Sequence, residues 1–183
     1  DGDDDYVLVP TNSVFDVSDE QAITVSAFVK TDTAGGGYVF QAETSFGYHF
    51  YVGQTTELVL WYNTTGNGCG STLNIRDGFW HHIVGVYNGS LIKIYIDGVL
   101  DNSCAMDTLE SRDGTSAVSI GSHPDLTSNN FLGDIDEVTI WNEALPAAEI
   151  TELYNSGAPI DASTNSGDYT SSANVISYWR FGE

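Results

Sequence analysis

The chain has 183 residues, 41% of them apolar and 12% aromatic, which suffices for one sizeable core and a single domain over residues 1–183. Twenty-six acidic residues stand against five basic ones (Lys30, Arg76, Lys93, Arg112 and Arg180), for a formal net charge of -21. A field of that sign excludes nucleic acid and anionic membrane surfaces as partners, because both are held through basic patches. No apolar run approaches the roughly 20 residues of a membrane-spanning helix, so no membrane insertion is expected.

Strand signals fall at Tyr6–Val9, Ile23–Lys30, Gly37–Gln41, Gly47–Val52, Glu57–Tyr62, Trp80–Tyr87, Leu91–Ile96, Ala117–Ile120, Ile135–Trp141 and Val175–Phe181, separated by turns rich in Gly, Asn, Asp and Ser. Many short strands without alternating helices predict an all-β, antiparallel sandwich rather than an α/β fold. One helix interrupts the pattern: after Pro146, the run Ala147–Tyr154 places Ile150, Leu153 and Tyr154 on one stripe, with Gly157 as its stop. Residues Ala158–Asn174 form a polar stretch of low periodicity, read as a mobile flap or a solvated insertion.

The segment Phe79–Leu100 specifies a hairpin. Asn88-Gly89 suits the two positive φ angles of a type I′ turn. Counting outward, Gly85, Ile83 and His81 fall opposite Ile92, Ile94 and Ile96 on a core face, and Val86, Val84, His82 and Trp80 fall opposite Leu91, Lys93, Tyr95 and Asp97 on the other. Asp97-Gly98 closes the next connection, so three strands follow in series. The two adjacent histidines point to opposite faces, which argues against a shared metal, and His81 reads as a core histidine.

Cys69 and Cys104 are the two cysteines, both in turn-like contexts. The pair suits a disulfide better than a metal site, with two unrelated free thiols as the alternative. The start at Asp1, without methionine or signal peptide, reads as a mature or excised piece whose export signal lay upstream.

Several segments resemble one family. Asp1-Gly2-Asp3-Asp4-Asp5-Tyr6-Val7, Ile23 to Lys30, Trp80 to Tyr87, Ile94 to Gly98, Gly133 to Asn142 and Ile176 to Phe181 are similar, in order and spacing, to blocks of the concanavalin A-like lectin/glucanase superfamily, in its laminin G-like bacterial branch. Phe28 stands where that family has Trp, and Pro146 where it starts its helix with Ser. The resemblance implies a jelly-roll of two curved sheets, often with one calcium ion, serving in carbohydrate binding or adhesion. It implies an extracellular or cell-surface location and flanking domains in a larger surface protein or polysaccharide-degrading enzyme.

Calcium takes six to eight oxygens. Asp136 matches the position of the family's calcium aspartate; Asp1 or Asp3 is the expected companion, and carbonyls of Gly35-Gly36-Gly37 are a weaker source. Retaining glycosidases of this superfold resemble a strand motif with three carboxylates, two of them about 5–5.5 Å apart. Asp134 and Asp136 alternate correctly, but Val138 and Thr139 stand where the third is needed, so catalysis is not expected. Sugar binding needs an exposed aromatic face and a few polar groups. Trp80, Trp141 and Trp179 lie in family blocks and read as core, leaving Trp61 either packed between the sheets or as the candidate platform, with Tyr48, Tyr51, Tyr62 and Asn63 nearby. His123, in the polar loop Ser122–Asn130, marks a second surface. The expected ligand is a glycan, neutral rather than acidic given the charge, and the alternative is a protein partner in adhesion.

Overall fold

The computed structural model describes residues 5–10, 12–15, 22–32, 35–42, 48–53, 59–63, 68–106, 117–123 and 129–181, with the backbone alone at 60, 62 and 63. The strands are β1 (Val7–Val9), β2 (Ile23–Lys30), β3 (Gly37–Ala42), β4 (Tyr48–Val52), β5 (Val59–Asn63), β6 (Gly68–Gly70), β7 (Trp80–Tyr87), β8 (Leu91–Ile96), β9 (Val99–Ala105), β10 (Val118–Ile120), β11 (Asp134–Trp141) and β12 (Val175–Trp179). They form two antiparallel six-stranded sheets: the first in the order β1-β10-β3-β4-β5-β6, the second in the order β12-β11-β2-β7-β8-β9. The architecture is the expected all-β sandwich. Two strands were not foreseen by their bounds, β6, whose Gly-Cys-Gly carries no alternation, and β9, whose polar Asp-Asn-Ser run conceals a sheet edge.

Period-two burial puts Ile23, Val25, Ala27 and Val29 of β2 and Ile83 and Tyr87 of β7 between the sheets, against Tyr48, Phe50 and Val52 of β4 and Val59 and Trp61 of β5. The hairpin turn differs from the expectation. Gly89 alone takes positive φ, 95°, while Asn88 does not, and the register runs Tyr87↔Ile92, Gly85↔Ile94 and Ile83↔Ile96. The two central residues are thus Gly89-Ser90, a pattern that fits a type II′ turn, and Asn88 Oδ1 accepts from the N–H groups of Ser90 (3.2 Å) and Leu91 (2.9 Å). The register is displaced by two residues, an even number, so every side chain keeps its predicted face. Asp97 (φ 51°) and Gly98 (φ 77°) form the I′ pair as expected.

The central strands of the second sheet, β2 and most of β7, are buried on both faces. Helix α1 (Ala147–Tyr154) and the segment after it cover the sheet's outer side, where Val84, Val86, Tyr95, Trp141, Leu145, Ile150, Leu153, Ala162 and Tyr169 make a second core. Residues Ala158–Asn174 are exposed over much of their length, as a solvated insertion would be, but buried Ala162 and Tyr169 fasten them to this second core. Tyr169 is fully buried; its hydroxyl accepts from Trp141 Nε1 (2.9 Å) and donates to the Ala162 carbonyl (2.6 Å). One aromatic residue in a polar stretch anchors the whole segment. The helix begins at Pro146 without a side-chain cap, as expected, but it ends at Asn155 in the left-handed region (φ 42°) rather than at Gly157. Thr151 Oγ1 donates to the Gly98 carbonyl (2.9 Å) and seats the helix on the β8–β9 turn.

Cys69 of β6 and Cys104 of β9 form the disulfide, so the bridge joins the edge of one sheet to the edge of the other. Buried Arg76 extends this connection, donating from Nε to the Asp32 carbonyl (3.1 Å) and from Nη1 to the Gly53 carbonyl (3.1 Å).

Across the core, Trp61 lies directly over Gly85: a Cβ added there would stand 1.7 Å from Trp61 Cε3. Gly85→Ala is expected to cost about 3 kcal/mol, at the upper end of overpacking penalties. Combined with Trp61→Phe, it should cost at least about 1 kcal/mol less than the two single losses added together, as read from urea midpoints. Strictly additive losses would show that this contact does not constrain the sheet spacing.

Candidate functional site

Trp61 is not a platform. It is 0% exposed, stacked on Tyr48 (6.1 Å between centroids, 11° between planes) and edge-on to Phe50 (5.5 Å). Val59 shares its alternation phase and is equally buried, so Val59 and Trp61 mark the inward phase of β5. Tyr48 is also core: its ring stacks on Phe40 and its hydroxyl donates to the Phe15 carbonyl (3.4 Å). Tyr62 and Asn63 pair in register with His49 and Tyr48, and their side chains lie outside the described residues.

The residues on the opposite phase of β4 do come together. Tyr38 of β3 is the centre of a four-ring cluster, edge-on to Tyr51 (4.9 Å), to His49 (5.4 Å) and to His123 (5.3 Å). Since Tyr48, Phe50 and Val52 face the core, His49 and Tyr51 face outward, and the cluster sits on the outer surface of the first sheet. Tyr38, Tyr51 and His123 are half-buried and His49 is buried. The structure thus unites Tyr51 and His123, predicted as parts of separate surfaces, through Tyr38, which sequence reasoning missed. An alternation count through β3 would not have isolated it, because the β3–β4 register shifts between Tyr38 and Phe40.

Among the tryptophans expected in the core, Trp141 is fully buried, whereas Trp80 is 45% exposed. Its outward position follows from the hairpin count, which puts it in phase with His82, Val84 and Val86. The His81 expectation also fails: His82 is the fully buried histidine, stacked on Phe28 (4.6 Å) and Tyr154 (6.2 Å). His81 is half-buried between two carboxylates, Nδ1 at 2.8 Å from Asp97 Oδ2 and Nε2 at 3.1 Å from Asp77 Oδ1.

Asp136 sits at a β-bulge whose next residue, Glu137, has φ 53°. Its Oδ1 accepts from the N–H of Glu137 (2.8 Å) and of Phe181 (2.7 Å), fastening β11 to the exit of β12. Asp5, Ile135 and Phe181 line one cavity of about 260 Å³, so Asp5 lies near the strand that carries Asp136. Asp1 and Asp3 lie outside the described residues. Among the described residues, no three His, Cys, Asp or Glu side chains converge to hold a metal ion. Asp136 Oδ2 could supply one oxygen; the others of a calcium shell would have to come from Asp1, Asp3 and carbonyls. Asp134, the other carboxylate in the alternating pair, pairs with Lys30 (3.4 Å).

The Laminin_G_3 family model, described as the concanavalin A-like lectin/glucanases superfamily, matches residues 1–151. No curated protein sequence matches the chain. Among solved structures, a Bacteroides ovatus protein provisionally named for carbohydrate binding aligns with a TM-score of 0.72 at 14% identity, over 96% of this chain and 48% of its own length. Domain 4 of AbnA, a GH43 extracellular arabinanase from Geobacillus stearothermophilus solved with arabinotriose, aligns at 0.62 and 21% identity, over 81% and 72%. The heptameric SAP-like pentraxin of Limulus polyphemus aligns at 0.56 and 17% identity, over 81% and 80%. These likenesses establish the fold. The chain spans about half the length of the first of them.

Burial lowers the pKa of His49, which His123 depresses further, and that of His82, each to about 3. The unfolded chain, titrating near 6.5, therefore takes up protons first, so stability is present above about pH 6.5 and falls toward pH 3, by up to about 1.4 kcal/mol per pH unit for each histidine. His81, raised mainly by its bond to Asp97, acts oppositely: its contribution is full below pH 6.5 and lost as pH rises through its folded value. Thermal melts between pH 7 and 4 should show the acid slope, and His82→Leu should reduce it by about half. An unchanged slope in that variant would contradict a buried neutral His82.

Proposed function

Because the chain belongs to the concanavalin A-like lectin/glucanases superfamily, we propose that it is a secreted, non-catalytic carbohydrate-binding module, working at the cell surface or outside the cell within a larger surface protein or polysaccharide-degrading enzyme. The observation that carries this reading is the Tyr38–His49–Tyr51–His123 cluster on the outer face of the first sheet. Half-exposed aromatic rings offer an apolar surface to a pyranose or furanose ring, and the phenolic and imidazole groups can bond its hydroxyls. Burial keeps His49 neutral, so the cluster carries no fixed charge from it at physiological pH. A net charge of -21 favours neutral glycans over acidic ones. The arabinotriose held by the arabinanase domain and the carbohydrate-binding name of the Bacteroides ovatus protein lend support.

A non-catalytic role is supported by the fate of the candidate carboxylates. Asp136 fastens a bulge, Asp134 pairs with Lys30, and Glu137 accepts from the Tyr178 hydroxyl and from Arg180 Nε. Each serves the scaffold, and no third carboxylate follows them in alternation. Calcium belongs to the proposal as a structural ion: Asp136 with Asp1 or Asp3 would hold it, fastening the N-terminal segment and relieving repulsion among its aspartates.

Retention on immobilised neutral polysaccharides tests the binding. Tyr38→Ala and Tyr51→Ala should each weaken it at least tenfold, about 1.4 kcal/mol, without lowering the melting temperature by more than a few degrees. Wild-type retention by both variants would move the site elsewhere. For the ion, a chelator should lower the melting temperature and added calcium restore it; a melt indifferent to both removes calcium from the proposal.

A further inference from the structure

The outer face of the second sheet is not wholly covered by α1 and the segment behind it. Beyond Gly157 and Pro159 the cover stops, and a cavity of about 240 Å³ opens, lined by Phe28, Trp80, Asp136, Glu137, Gly157 and Pro159. Trp80 forms its wall at 45% exposure, while Phe28 beneath is 6% exposed and pinned by its stack on His82. Phe28 pairs with His82 and Lys30 with Trp80 across β2 and β7, so both aromatic side chains are fixed by sheet register rather than by a loop. Glu137 is 8% exposed and its carboxylate is held in place by Tyr178 and Arg180. The site is therefore built on rigid elements, which suits recognition without rearrangement.

Its chemistry is selective. Among the described residues the lining comprises two aromatic rings, a proline, a glycine and two carboxylates, with no hydroxyl, amide or basic side chain. A ligand for this cavity presents a flat apolar face to Trp80 and hydrogen-bond donors to the lone pairs that Asp136 and Glu137 keep beside their scaffold bonds. A neutral sugar residue with adjacent free hydroxyls meets both demands, whereas a uronate or sulfated sugar would set anion against anion. The volume, below the roughly 300 Å³ at which pockets for drug-sized ligands begin, suits one ring rather than a chain.

We propose that this cleft is a second sugar-binding site, taking a single neutral residue with vicinal hydroxyls, and that it makes the domain bivalent. The inference rests on the carbohydrate-binding reading above but uses a separate surface. Trp80 shares its alternation phase with His82, Val84 and Val86, which lie under the outer cover of the second sheet, while the Tyr38 cluster lies on the outer face of the first. The two sites stand back to back across the sandwich. Two sites facing opposite ways join separate polysaccharide strands; they do not add avidity along one.

Titration of isotope-labelled protein with neutral trisaccharides of arabinose, xylose, mannose and glucose, followed by NMR, tests the proposal. The expected result is saturation at two ligands per chain, with the Trp80 indole signal moving at one site. Trp80→Ala should reduce the stoichiometry to one, and Trp80→Phe, which keeps a stacking ring, should retain two with at most about fivefold weaker affinity at the second. Glucuronic acid oligomers should leave the Trp80 signal unmoved. Loss of two-site binding in Trp80→Ala should also abolish cross-linking of soluble polysaccharide, read as turbidity. One ligand per chain with Trp80 silent, or a stoichiometry indifferent to Trp80→Ala, overturns the second site. One ligand that moves Trp80 and survives Tyr38→Ala upholds the cleft as a site but overturns both the Tyr38 cluster and bivalence. Stronger displacement of Trp80 by glucuronate than by neutral sugars overturns the assigned ligand class.

Discussion

The contact between Trp61 and Gly85 sets the spacing on which the sandwich depends. An indole from the first sheet reaches across the core and lies on the bare backbone of a central strand of the second, a position that no larger residue could take without displacing it. Tyr48 and Phe50 pack around that indole, and the same β4 strand turns His49 and Tyr51 outward. The inward ring therefore helps place the outward ones: β4 cannot rotate to expose Trp61's neighbours without burying the cluster around Tyr38. The disulfide between β6 and β9 and the buried Arg76 then hold the two sheets together along their edges and ends.

A second constraint is the double burial of the second sheet at its central strands. Its inner face meets the first sheet, and its outer face meets α1 and the segment anchored by Tyr169. This explains why Ile23–Lys30, buried along nearly all its length, mixes Thr24 and Ser26 with aliphatic residues: Thr24 Oγ1 donates to the Glu143 carbonyl (2.7 Å) and accepts from the Leu145 N–H (3.0 Å), tying the outer layer down. Where the cover ends, the same sheet leaves Trp80 open. The exposed aromatic surface is thus a consequence of how far the C-terminal layer reaches.

The bulge at Asp136 and Glu137 shows scaffold and chemistry competing for the same carboxylates. At the bulge, where Glu137 has positive φ, its N–H bonds Asp136, and the Glu137 side chain meets Tyr178 and Arg180. In a chain so rich in acid, such internal partners are what allow carboxylates to lie near the core of the sheet.

The sequence alone determined the sandwich, the bounds of β2, β7, β8 and α1, the Asp97-Gly98 turn and the faces of the hairpin, because each follows from local periodicity or turn chemistry. An even-numbered register error left those faces intact. What only the tertiary structure decided was which of two alternation phases points inward. In Leu58–Tyr62 both phases are apolar or aromatic, so period two could not tell Trp61 the core residue from Trp61 the platform. In Trp80–Tyr87 both faces are buried for most of the strand, and Trp80 is exposed solely because the covering layer stops short of it. The Tyr38 cluster likewise gathers rings from three separate segments, a meeting created by strand pairing across the sheet rather than by any spacing along the chain.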